Sequence, residues 1–276
     1  MPFVGLRDSP QETVVDLQLA GKVAVVTGAG RGIGLAVTQA LAAESVCVVA
    51  ASRTLTEPLS ELVAGRHVHF VKVDLAGPDG SAEPVEEAVA RFGGLDILVN
   101  NVGAVRPRTG GFASVGDDDW MWALTINFLS AVRTTRAALP HLIEGGSGSI
   151  VTVGSVTGFL PDPSVIDYGA SKAALANFCR ALSKEVGPHG VRVNTISPGP
   201  VATDLWLGEG GIADTFAAAG ATAPDAVARS AADRAATRRF TRPEEVADLV
   251  LLLASGRSGN VTGSDLVIDG GLVATL

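Results

Sequence analysis

VAVVTGAGRGIG, residues 23–34, decides the fold. A short apolar run, Val23 to Thr27, passes without a linker into four spaced glycines, Gly28, Gly30, Gly32 and Gly34, and a helical pattern begins at once behind them. Gly28 permits a tight exit from a strand, Gly32 lets the backbone approach a bound phosphate, and Gly34 lets a helix pack closely on a sheet. The free N–H groups at the start of such a helix face an anion. The plain alternative is a glycine-rich strand-to-helix loop that binds nothing.

Working outward, short apolar runs recur at Val46 to Ala51, Val68 to Val73, Ile97 to Asn100, Ser149 to Val153, Arg192 to Ser197 and Asp265 to Ile268. Segments with helical spacing separate them: Ile33 to Glu44, Ser81 to Phe92, Asp117 to Leu139, Tyr168 to Val186 and Pro243 to Leu253. Continuous apolar strands alternating with helices imply an α/β fold whose parallel sheet is covered on both faces. In TRPEE, Thr241 can cap the last helix, with Pro243 near its first turn. Nothing resembling a linker divides the 276 residues, so residues 19–276 read as one domain and residues 1–18 as an N-terminal extension. The Ala- and Gly-rich stretch 203–239 breaks the rhythm and reads as a long irregular lid or binding loop.

A hydrophobic content of 47% against 18% charged residues describes a compact globule with a large core. The net charge of −8 disfavours nucleic acid and anionic lipid as partners. No apolar run approaches the ~20 residues of a membrane span, and the first residues lack a basic start and apolar centre. A cytoplasmic protein is expected. Cys47 and Cys179 read as small buried hydrophobes, and His67, His69, His141 and His189 show no metal-ligand spacing beyond one HVH pair. No metal site is expected.

The second strand ends in VVAASRT. A dinucleotide site that prefers NAD places Asp or Glu there to hold the adenosine ribose hydroxyls. This chain has Ser52 and Arg53 instead, with Arg31 nearby in the glycine turn. A missing carboxylate and two guanidiniums suit the 2′-phosphate of NADP, so NADP(H) is preferred and NAD(H) remains possible. The bland reading is that Arg31 and Arg53 are solvated surface charges. Asp74, ending the run VKVDL, either accepts from an adenine amino group or only caps the following loop.

Taken together, TGAGRGIG, Asp74, NNVG at residues 100–103, Asn127, Ser155, YGASK at residues 168–172, PGPVAT at residues 198–203 and VTGSDLVIDGG at residues 261–271 resemble the short-chain dehydrogenase/reductase family of about 250 residues. Their order along almost the whole chain makes the resemblance specific. It implies a Rossmann-type doubly wound domain with a seven-stranded parallel sheet, and hydride transfer between a nicotinamide and a carbonyl or alcohol carbon. By the same resemblance Asn127, Ser155, Tyr168 and Lys172 are catalytic. Cofactor contacts are implied for Gly28, Gly30, Arg31, Gly32, Ile33, Gly34, Ser52, Arg53, Asp74, Leu75, Asn101, Gly103, Tyr168, Lys172, Pro198, Gly199, Val201 and Thr203. A homotetramer, or a homodimer, is the implied assembly. Val102 stands where the family usually has alanine.

Tyr168 is the only tyrosine of the chain. It would protonate a carbonyl oxygen or deprotonate an alcohol. A free phenol titrates near ~10, too high for an efficient base at neutral pH. Lys172 lies one helical turn on, on the same face. An ammonium ~4 Å from a phenolate contributes roughly 4 kcal/mol at an effective dielectric of about 20, enough to bring the phenol down by about three pH units. Ser155 would donate to the substrate oxygen, and Asn127, by family analogy, would hold a water linking Lys172 to solvent.

Substrate contacts fall in residues 105–112, 158–167 and 203–239. Leu205, Trp206, Leu207, Ile212 and Phe216 either pack as ordinary core or close over a small to medium apolar substrate. Arg106 and Arg108 could reach an acidic substrate or stand as solvated loop charges.

Overall fold

Seven parallel strands form a single sheet in the order β3-β2-β1-β4-β5-β6-β7. They are β1 (Val23–Thr27), β2 (Cys47–Ser52), β3 (Val68–Lys72), β4 (Ile97–Asn100), β5 (Ser149–Val153), β6 (Arg192–Pro198) and β7 (Asp265–Ile268). The structure is a computed structural model that describes residues 15–77 and 80–274. Residues 1–14 of the expected extension lie outside the described residues. Leu17 and Leu19 are described, and Leu19 belongs to the core.

The helices are α1 (Gly32–Ala43), α2 (Glu57–Val63), α3 (Glu83–Phe92), α4 (Asp117–Leu124), α5 (Ser130–Glu144), α6 (Ile166–Val186), α7 (Asp204–Leu207), α8 (Ile212–Gly220), α9 (Pro224–Asp233) and α10 (Pro243–Ala254). All five residues of VAVVT are buried, because successive side chains of a strand point to opposite faces and both faces are covered. Ala24 and Val26 join a cluster with Val37 and Leu41 of α1 and Val246 and Val250 of α10. Val23 and Val25 join Val85 and Ala88 of α3, Leu142 of α5 and Leu175 of α6. The sheet is thus the shared wall of two cores.

Chain order reverses at β1, which pairs with β2 on one side and β4 on the other. Crossover loops leave that point in opposite directions, opening a crevice beyond the carboxyl ends of β1 and β4. Thr27 Oγ1 donates to Val99 O at 3.1 Å and accepts from Asn101 N at 2.9 Å, while Asn101 Nδ2 donates to Thr27 O at 3.0 Å. These bonds stitch the floor of the crevice.

Several expectations need correction. Residues 203–239 are largely helical, carrying α7, α8 and α9. The helix expected over residues 117–139 runs on to Glu144 and contains a π-helical turn at Thr125–Leu129. Arg242, not Thr241, is the cap residue of α10, and its backbone N–H donates to the Glu245 carboxylate at 2.8 Å. Thr241 instead bridges Val201 across an isolated β contact. Cys47 is only half-buried, whereas Cys179 is buried.

Candidate active site

The glycine turn occupies the crevice between β1 and α1. Gly28 (φ +67°) and Gly32 (φ +54°) lie in the left-handed region that other residues rarely adopt. A Cβ on Gly34 would sit 2.1 Å from Gly28 O and 2.5 Å from Asn101 Nδ2, so no side chain fits. A Cβ on Gly30 would meet Ser52 Oγ at 3.0 Å, and one on Gly32 would meet the Thr203 methyl at 3.1 Å. No side chain caps α1, so the amides of Gly32, Ile33 and Gly34 open toward the crevice. The result is a backbone-lined cradle of the kind that takes a dinucleotide pyrophosphate.

Around it stand the other sequence-predicted positions. Ser52 ends β2 and donates to Thr54 O at 2.8 Å, while Arg53 and Arg31 are exposed. Asp74 Oδ1 accepts from Ala76 N at 3.0 Å, as in the loop-capping alternative. Leu75 is buried beside it. Pro198 ends β6, and Gly199 N donates to Ile268 O at 3.0 Å. Thr203 lies against Gly32, which brings the PGPVAT run to the glycine turn.

A second constellation converges where β5 and the start of α6 meet. Gly158 and Gly169 set this approach: a Cβ on the first would press on Ala173 N at 3.2 Å, and one on the second on Thr157 O at 3.1 Å. The turn after Ser155 therefore seats directly on α6, and the Ser155 hydroxyl comes close enough to the Tyr168 phenol to favour its ionised form. Ser155 Oγ also accepts from Thr157 N at 3.2 Å and lies 2.9 Å from Thr157 Oγ1. Lys172, 3% exposed, donates from Nζ to Val153 O at 2.8 Å.

The charge balance differs from the simple pairing expected of Tyr168 and Lys172. The ammonium is 5.7 Å from the Tyr168 ring centroid, directed at the β5 carbonyl. Burial pushes the phenol above its ordinary value, and only the neighbouring Ser155 hydroxyl pulls it back. Burial likewise pushes the Lys172 ammonium down from 10.5 to about 8. The direction without cofactor is thus opposite to the fall expected of a phenol paired with an ammonium, and the ammonium here is bonded to Val153 O.

Asn127 occupies the π-helical turn and is fully buried. Its Oδ1 accepts from Ala104 N at 2.9 Å, and its Nδ2 donates to Ala104 O at 2.9 Å and Ala123 O at 3.0 Å. The side chain thus ties the backbone after β4, at Ala104, to that of α4, at Ala123. A Cβ on Gly103 would lie 3.1 Å from Asn127 Oδ1 and 3.4 Å from Lys172 Nζ, so Gly103 separates the two.

Arg108 is not a solvated loop charge. Its guanidinium, 10% exposed, grips the 2% exposed carboxylate of Asp167 through Nη2 and Nε and reaches Asp119 from Nη1 at 3.0 Å. Arg106 stacks over the Trp122 ring, 3.8 Å from its centroid. The sequence signal for the buried pair is slight: a carboxylate in the first turn of α6, directly before Tyr168. Among the described residues, no three His, Cys, Asp or Glu side chains are placed to hold a metal ion, and no helix is long and apolar enough to cross a membrane.

The family model for short chain dehydrogenases matches residues 22–209. The chain belongs to the short-chain dehydrogenase/reductase family. It is an NAD(P)-dependent oxidoreductase of that family. It is 34% identical to the 3-oxoacyl-acyl-carrier-protein reductase FabG of Thermotoga maritima, over 93% of this chain and 100% of that one. It is 32% identical to the 2,3-dihydro-2,3-dihydroxybenzoate dehydrogenase of Bacillus subtilis, over 92% of this chain and 96% of that protein. Among solved structures, the L-sorbose reductase of Gluconobacter frateurii, complexed with NADPH and L-sorbose, superposes with a TM-score of 0.87 at 34% identity, covering 95% of this chain and 100% of that one.

Proposed function

We propose that this short-chain dehydrogenase/reductase transfers hydride between NADP(H) and the carbonyl or secondary alcohol of a small to medium, largely apolar substrate. The observation that carries the reading is the convergence of Ser155, Tyr168 and Lys172 beside the backbone cradle of the glycine turn. When bound, the nicotinamide supplies or accepts the hydride. Tyr168 supplies the proton to the carbonyl oxygen in reduction and removes it from the alcohol in oxidation. Ser155 accepts from the Thr157 amide, which leaves its own O–H to donate to the substrate oxygen as charge develops there. Lys172 spends one of three N–H donors on Val153 O; the others serve the phenol and a ribose hydroxyl. Asn127 holds the backbone at Ala104 beneath the nicotinamide end.

The amides of Gly32, Ile33 and Gly34 would hold the pyrophosphate, with Gly28, Gly30, Asn101 and Gly103 giving backbone access. Asp74 and Leu75 flank the adenine end, and Pro198, Gly199, Val201 and Thr203 the carboxamide end. Preference for NADP rests on the absence of a carboxylate at the end of β2. The Ser52 hydroxyl turns to Thr54 O, leaving exposed Arg53 and Arg31 to grip a 2′-phosphate. The NADPH carried by the sorbose reductase supports it. One observation favours the NAD alternative: Arg31 lines a cavity together with the carboxylates Asp204 and Glu209.

That cavity, about 140 Å³, also presents Val105, Leu205 and Ile212. Trp206 anchors α7 by packing on Phe240 at 5.5 Å, and Leu205 and Leu207 remain 38% and 50% exposed. Residues 203–239 then act as a lid over an apolar substrate. A homotetramer in the cytoplasm is the working assembly, to be checked by light scattering.

The test is a screen of ketones and secondary alcohols with both cofactors, followed by nicotinamide absorbance, on wild type and Tyr168→Phe. The variant is expected to keep cofactor binding and lose turnover by about a hundredfold or more. Turnover retained in Tyr168→Phe ends the reading.

A further inference from the structure

We infer that Arg108 is a positioning residue for Tyr168, acting through Asp167 to fix the start of α6 and to neutralise the charge beside the phenol. The inference rests on the reading of Tyr168 as proton donor and acceptor. Three segments meet at this one guanidinium. Its own backbone N–H donates to Ser164 O at 2.7 Å, tying the loop after β4 to the turn that precedes α6. Nη2 and Nε share Asp167 Oδ2, and Nη1 reaches Asp119 Oδ1 in the first turn of α4 at 3.0 Å. From the other side, Asp162 Oδ1 accepts from Ser164 N at 2.9 Å and Ser164 Oγ at 2.6 Å. The chain leading into Tyr168 is therefore held from both ends.

Geometry alone would make this a brace, but the charge makes it more. Asp167 is 2% exposed and adjacent in sequence to the phenol. A buried carboxylate without its partner would oppose the phenolate that oxidation requires. The charged and titratable groups on or against this helix are Asp167 and Lys172 on α6 itself, Asp119 from α4 and Arg108 from the loop after β4, with Cys179, Arg180 and Asp265 of β7 some three turns beyond Tyr168. Arg108 is the group that cancels Asp167.

The single tyrosine permits a direct measurement. The holoprotein with NADP⁺, carrying ¹³C-labelled tyrosine, is titrated as wild type, Arg108→Gln, Asp167→Asn and the double variant. Turnover is followed in parallel with cyclohexanone, acetophenone and ethyl acetoacetate as probes. Arg108→Gln is expected to move the phenol up by roughly one pH unit and to lower kcat by about tenfold, with the KM for NADPH nearly unchanged. The double variant is expected to return the phenol to its wild-type titration, because the unpaired charge is gone. Should Arg108→Gln fail to fold, Asp167→Asn supplies the opposite sign: the phenol titrates lower, since the guanidinium remains and the carboxylate does not. A phenol and a kcat that both stay at wild-type values in Arg108→Gln, with only the melting temperature reduced, would overturn the inference and leave a structural brace. Tyr168→Phe separates the two readings: if it retains turnover the mechanism itself fails, and if it is inactive while Arg108→Gln is wild-type-like, only this inference fails.

Discussion

Replacing Lys172 by Met tests whether the active-site lysine is a buried ammonium held against its solvation preference. Burial pushes it from 10.5 down to about 8. Below about 8 the folded and unfolded chains both carry the proton, and the folded state bears the whole cost of a buried charge. Between about 8 and 10.5 the unfolded chain binds the proton and the folded chain does not, so stability rises with pH across that window. The gap of about 2.5 pH units corresponds to roughly 3 kcal/mol of destabilisation at pH 7, of which roughly 2 kcal/mol is relieved by pH 9.5. At about 2–4 °C per kcal/mol for a chain of this size, the wild type should gain at least ~4 °C on the variant over that range. The lost hydrogen bond to Val153 O shifts the variant by an amount that does not depend on pH, because the neutral amine donates as well. The slope is therefore the test and the intercept is not. Scanning fluorimetry of both proteins without cofactor, at pH 7, 8, 9 and 9.5, reads it directly. Both proteins carry Cys179→Ala, because that thiol and Lys172 feel each other's charge. A melting-temperature difference that stays flat from pH 7 to 9.5 refutes the buried-ammonium reasoning.

Two further outcomes follow from the cofactor cradle. Gly34→Ala places a methyl 2.1 Å from Gly28 O, with backbone on one side and Asn101 on the other. Its expected effect is a loss of NADPH affinity of about a hundredfold or more with partial loss of stability, checked by fluorescence titration and melting. Arg53→Asp exchanges the proposed 2′-phosphate ligand, just past the end of β2, for a carboxylate suited to ribose hydroxyls; the ratio of kcat/KM for NADPH over NADH should fall by about tenfold or more. An unchanged ratio would return Arg53 to the solvated surface.

The fold was legible because burial on both faces writes itself into composition. A strand such as VAVVT has no polar face to blur the pattern, so each of the seven runs could be placed, with ends good to one residue at β2, β3 and β6. The Ala-rich segment was not legible for the opposite reason. α8 and α9 are built on alanines whose small side chains mark no stripe, although Pro224 in the first turn of α9 was a usable start signal. The i, i+4 spacing of Tyr168 and Lys172 showed that both lie on one face, but not where the ammonium points. That depends on Val153 O, an acceptor from β5 that only the tertiary fold supplies. Arg108 and Asp167 lie 59 residues apart, and nothing local announces that each is the other's partner. Thr241 was a fair cap by type; Arg242 took the place because the Glu245 carboxylate accepts its amide.

The same burial opposes the charged forms of both active-site groups, and it does so in opposite directions along the pH scale. With its phenol above the ordinary value, Tyr168 at neutral pH still holds its proton, the form that the proposed carbonyl reduction consumes. Oxidation needs the phenolate, which even an unperturbed phenol offers only about once in a thousand molecules at pH 7. Lys172 at about 8 is still predominantly charged at that pH, so a cation stands one turn from the phenol with N–H donors to spare. On the proposed mechanism, oxidation requires that ammonium to turn from Val153 O toward the phenol oxygen. Reduction should therefore tolerate neutral pH, while oxidation should gain with rising pH until Lys172 begins to lose its own proton above about 8. Phenolate demand and ammonium supply then work against each other, and the oxidative optimum lies where the two cross.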